Sequence, residues 1–67
     1  MTFSPFPQFK INDRVLIAAH LDSIDAIHNG QVGRIIGFVH DWLVIVDIDG
    51  KELRFRPDEL KSCSLHS

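Results

Sequence analysis

The sequence predicts an all-β fold, a small barrel of about five short antiparallel strands with a 3₁₀ turn before the last strand. Three observations carry that prediction. Short apolar runs rich in Val, Ile and Leu alternate with turn residues from Lys10 onward, an Asp49-Gly50 pair divides two of these runs, and no segment holds a helical apolar period over a helix's length. The chain has 67 residues, 45% of them hydrophobic and 24% charged, which is room for one domain. A chain this short buries only about 60% of the surface that its unfolded form exposes, so its stability margin is small. Closing the sheet into a barrel removes the open edges on which other strands add.

Residues 1–9 form a leader that holds two of the three prolines and three of the five phenylalanines. Pro5 and Pro7 keep φ near −65° and push Ser4 and Phe6 toward extended geometry. Phe3, Phe6 and Phe9 recur at the period of polyproline II, so an extended leader lines them along one side. The barrel is expected over residues 10–65, beginning with a β-branched run at 14–20 after the polar pair Asn12-Asp13. Residues 21–30 read as a long loop ending in the turn Asn29-Gly30. Inside it, Leu21, Ile24 and Ile27 stand three residues apart, which suits a short helical or 3₁₀ stretch packing inward with Asp22 and Asp25 as an outer acidic rim. The run at 31–39 contains Gly33 and Gly37, which mark a bend, a bulge or a close approach of backbones. His40-Asp41 then reverses the chain.

The hairpin at 42–56 has the most specific signal. Asp-Gly between two apolar runs favours a two-residue type I′ turn, because both central positions need positive φ. That turn sets Ile48 opposite Lys51, Val46 opposite Leu53 and Val44 opposite Phe55 on one face. The other face pairs Asp47 with Glu52, Ile45 with Arg54 and Leu43 with Arg56. The first face is the apolar one and turns to the core. The like charges of Asp47 and Glu52 oppose each other, and a diagonal contact from Asp47 to Arg54 offsets them. Pro57-Asp58-Glu59-Leu60 reads as one helical or 3₁₀ turn with Pro first and acids near its start, and residues 61–65 return as a final strand.

Asn12-Asp13-Arg14-Val15, then Gly30-Gln31-Val32-Gly33-Arg34-Ile35, then Phe55-Arg56-Pro57-Asp58-Glu59-Leu60 together resemble the SH3-like small barrels, including KOW-type modules. The same order is similar to SH3-like accessory subunits of the ferredoxin–thioredoxin reductase variable-chain and nitrile hydratase β types. Those open on (G/N)-D-x-V, carry a central G-x-x-G followed by an aliphatic residue, and close on an acidic-Leu element. Asn12 stands where these modules usually have Gly. The resemblance covers residues 10–65 and implies an accessory or adaptor role, with a redox complex as one setting. Its KOW side implies a nucleic-acid-binding alternative.

The composition narrows the chemistry. Seven Lys plus Arg against nine Asp plus Glu, a net charge of −2, is not the footprint of a general nucleic-acid binder. The apolar runs fall far short of the roughly 20 residues of a membrane-spanning helix. Residues 1–9 have no basic residue and no apolar core of a signal peptide, so a cytoplasmic location is expected. Cys63, the one cysteine, forms no internal disulfide and has no base beside it; it reads as a small, partly buried residue. His20, His28, His40 and His66 are separated by 8, 12 and 26 residues, which is no metal-ligand spacing, and no cofactor is called for. Asp49 is explained by its turn and Asp58-Glu59 by a helix start, and a small filled barrel leaves little cleft for catalysis. A non-catalytic protein-interaction module is therefore expected. Its anchors are Trp42, Leu43 and Ile45, with Arg54 and Arg56 orienting acidic groups of a partner. Phe3 and Phe6 dock on this barrel, on a second copy or on another protein. For the nucleic-acid alternative, Arg34, Arg54 and Arg56 would serve phosphates and Trp42 or Phe38 would stack, diluted by Asp41, Asp47 and Glu52.

Overall fold

A computed structural model describes residues 5–63; Phe3, His66 and the end of the expected last strand lie outside the described residues. Within them the chain forms β1 (Arg14–Ile17), a first 3₁₀ turn (Ile24–His28), β2 (Val32–Val39), β3 (Leu43–Ile48), β4 (Lys51–Phe55), a second 3₁₀ turn (Pro57–Glu59) and β5 (Leu60–Ser62). All the strands lie in one antiparallel sheet of order β4-β3-β2-β1-β5. Consecutive strands from β1 to β4 are neighbours, and β5 returns to the free side of β1. No ladder joins β4 to β5, so the sheet is not closed among the described residues. Its edges are blunted instead: β5 is three residues long, and β4 exposes Lys51, Glu52 and Arg54.

The β3–β4 hairpin has the register that its turn chemistry predicts, with Val44 opposite Phe55, Val46 opposite Leu53 and Ile48 opposite Lys51. Asp49 and Gly50 take φ of 54° and 84°, the two positive values of a type I′ turn. The position noted as unusual, Asn12, has φ of 76°. Asn is one of the few non-glycine residues that takes this left-handed geometry readily. Its N–H donates to the Ile35 carbonyl at 2.8 Å, and the Ile35 N–H donates to the Asp13 carbonyl at 2.9 Å, tying the turn to β2.

Both strand glycines have a specific cause. The β2–β3 register shifts between Ile35 and Gly37, a bulge that bends β2. At Gly33 the constraint is space. A Cβ there would run into Val46 Cγ1, and would sit 2.8 Å from Ile48 Cγ1 and 2.9 Å from the Asp47 carbonyl oxygen. The two core side chains of β3 fill the volume that any other residue at 33 would need.

The core comprises Phe6, Phe9, Val15, Ile17, Ile35, Val44, Val46, Ile48, Phe55 and Leu60, with Phe38 and Leu53 packed against it. Thus the leader contributes to the core directly. It is not extended between Phe6 and Phe9: the Phe9 N–H donates to the Phe6 carbonyl at 3.0 Å, closing a four-residue turn with Pro7 at its second position, where its fixed φ fits. The turn brings both rings inward, with Phe6 and Phe9 edge to face at 6.4 Å and Phe6 at 5.8 Å from Phe38. Of the three docking alternatives for the leader, Phe6 takes the first and is buried in the chain's own core, which removes it as a contact residue for a partner.

Two substitutions test this packing by urea denaturation. Gly33→Ala is expected to cost about 2–3 kcal/mol or to prevent folding, since neither β3 nor its core side chains can retreat. Phe9→Ala, which empties a ring-sized volume, is expected to cost about 3 kcal/mol or more.

Candidate interaction surface

The outward face of the sheet follows from the strand pairings. Leu43, Ile45 and Asp47 alternate with the buried Val44, Val46 and Ile48 along β3. Opposite Ile45 stand Arg54 on β4 and Gly37 on β2, and opposite Leu43 stands Val39. Leu43, Ile45 and Arg54 therefore share one face. Ile45 is only half exposed, because its Cδ1 lies over the notch at Gly37, 3.4 Å from where a Cβ would be. Trp42, in the turn before β3, is 59% exposed and lines an open groove with Arg56, Pro57 and Asp58. Arg56 Nε lies 3.6 Å from Asp58 Oδ1 on the surface, a pair of little energetic value.

A second row on this face crosses four strands. Arg14 on β1 stands opposite Arg34 on β2, Arg34 opposite Asp47 on β3, and Asp47 opposite Glu52 on β4. Arg14, Val32, Gly33, Arg34 and Asp47 line a shallow depression there. Among the described residues, none of the four charged groups forms an ion pair. Arg14 escapes a sequence reading of this face, because its position opposite Arg34 depends on the β1–β2 pairing.

The loop before β2 presents a third feature, and here the expected orientation is reversed. The 3₁₀ turn at Ile24–His28 forms, but Leu21, Ile24 and Ile27 are 91%, 85% and 79% exposed. Ile24 and Ile27 align within the turn, since a 3₁₀ helix has three residues per turn, and Leu21 precedes it. What sets the stripe outward is the polar side of the loop. Ser23 caps the turn, accepting from the Asp25 N–H at 3.1 Å, and its hydroxyl donates to Glu59 Oε2 at 3.2 Å. Asn29 clamps Ala19 from both sides, accepting from its N–H at 2.7 Å and donating to its carbonyl at 2.9 Å. The His28 ring stands edge-on to Phe55 at 5.9 Å. These ties hold Ser23, Asp25 and His28 on the inner side, leaving the aliphatic stripe in solvent.

Glu59 is the buried charged group, 6% exposed, and its Oε1 accepts from the Arg56 N–H at 3.0 Å. Asp25 approaches it, and its carboxyl is raised above the ordinary 3.8, first by burial, then by a hydrogen bond with Glu59 and by that residue's like charge; His28 pulls the other way. Asp25 is thus half-buried against a carboxyl partner and does not belong to an outer acidic rim, whereas Asp22 is exposed.

No protein-family model matches the chain, and neither does any curated protein or solved structure. Among the described residues no three His, Cys, Asp or Glu side chains gather to hold a metal ion. No helix among them is long and apolar enough to cross a membrane.

Asp25 gives a pH signature. The folded chain holds its proton more tightly than the unfolded chain, so its contribution to stability is full below about 3.8 and is lost as pH rises through the folded-state value. Asp25→Asn removes that loss. The variant's thermal midpoint is expected to match the parent's in acid and exceed it at neutral pH; a difference independent of pH would overturn the assignment.

Proposed function

We propose that this chain is a non-catalytic interaction module of SH3-like architecture, acting as an accessory or adaptor subunit that binds another protein. One observation carries the reading: Leu21, Ile24 and Ile27 are held in solvent by polar ties on the opposite side of their turn. Leu21, Ile24 and Ile27 are the most exposed of the large hydrophobic side chains among the described residues, and three such aliphatics held outward on a small domain mark a contact surface. Leu43 and Ile45 beside Arg54, and Trp42 in its groove with Arg56, supply further apolar surface for the same partner or another. The 3₁₀ turn before β5 and the return of that strand to β1 support the SH3-like architecture. The single Cys63 thiol fits a reducing, cytoplasmic setting.

The nucleic-acid reading is favoured by one feature, the unpaired Arg14 and Arg34 set side by side on the outward face. Asp47 and Glu52 continue the same row and weaken any phosphate track.

The double variant Ile24→Ser with Ile27→Ser separates these readings. Both side chains are exposed, so the thermal midpoint is expected to stay within a few degrees of the parent's. Capture of a protein by the parent from host extract, lost with the variant, is the result expected. Binding of heteropolymer RNA or DNA at low salt with a steep salt dependence, unchanged in the variant, would overturn the adaptor reading.

A further inference from the structure

We infer that the outward face of the sheet is a self-association surface, on which two copies of this chain pack face to face about a two-fold axis running along the strands. The inference rests on the charge order across the sheet and is independent of the loop stripe. Read from β1 to β4, the row is Arg14, Arg34, Asp47, Glu52: two positive charges, then two negative. Within one chain this order is poor. Arg14 faces a like charge in Arg34, Asp47 faces a like charge in Glu52, and such cross-strand neighbours repel. Among the described residues neither arginine finds an ion pair.

A two-fold axis between facing sheets, parallel to the strands and passing between β2 and β3, reverses the row. Arg34 of each copy then meets Asp47 of the other, and Arg14 of each meets Glu52 of the other. Every charge in the row gains an opposite partner, and the contacts are isologous, as a closed dimer requires. Rows to one side follow the same symmetry. Val39 and Leu43, opposite each other on β2 and β3, meet their exchanged counterparts, so apolar surface covers apolar surface. The depression between Arg14, Arg34 and Asp47 provides room for an opposing side chain. An axis along the row would instead set Arg14 on Arg14. The pairs that hold it are charges at the surface, which salt screens, so the dimer dissociates as salt rises.

Analytical ultracentrifugation of the full chain, from micromolar to millimolar concentration at low and high salt, tests this. The parent is expected to dimerise reversibly and to dissociate as salt rises. Arg34→Asp alone and Asp47→Arg alone are each expected to weaken association at least tenfold. Mixing the two single variants is the decisive step, because reversed charges then meet complementary ones across the interface, and a heterodimer is expected from two chains that do not self-associate. If either variant fails to fold by circular dichroism, Arg14→Glu mixed with Glu52→Arg provides the same test at the flanks of the row. A parent that stays monomeric throughout, or folded variants whose mixture does not associate, would overturn the inference.

Discussion

The structure turns on the closeness of β2 and β3 at Gly33. Val46 and Ile48 occupy the space where a side chain at 33 would lie, so these two core side chains of β3 lie directly over the backbone of β2. β2 pairs with both β1 and β3, and the register set there propagates outward through each ladder. On the inner face it fixes the row of Val44, Val46 and Ile48 against the core. On the outer face it brings Arg34 opposite Asp47 and leaves a depression flanked by Arg14. One missing Cβ thus connects core packing to the surface chemistry.

The size of the chain explains where the rest of the core comes from. With 67 residues and no disulfide among the described residues, sheet residues alone make a thin core. Phe6 and Phe9 thicken it, turned inward by Pro7, so the proline-rich segment acts as part of the folded unit. Against that background, keeping Leu21, Ile24 and Ile27 in solvent is a cost that burial elsewhere has to offset. A buried Glu59, approached by Ser23 and Asp25, ties the loop to the turn before β5 and keeps those aliphatics out of the core.

What could be read in advance divides by the range of the interactions involved. The β3–β4 hairpin was legible because Asp49-Gly50 imposes its geometry locally and binary patterning picks the face. The 3₁₀ turn at Pro57–Glu59 was legible for the same reason, from Pro at its first position. The orientation of the loop stripe was not legible. Its period was correct, but its phase depends on Ser23 reaching Glu59 across 36 residues and on Asn29 reaching Ala19 across 10. The outward side of Ile45 was legible from strand alternation, while its half-burial needed the Gly37 notch beside it.

By itself the sequence determined the local grammar: an all-β chain, its turns, the hairpin register and the sides of β3. Backbone sterics and the two-residue period of a strand act within a few residues, so they are written in the order of side chains. Only the tertiary structure decided that the leader folds into the core, that the sheet stays open among the described residues, that an aliphatic stripe faces water, and that four charges line up across four strands. Those outcomes depend on which distant segments meet, and pairings between distant segments compete on the total burial and hydrogen bonding that they bring, which no short stretch of sequence contains.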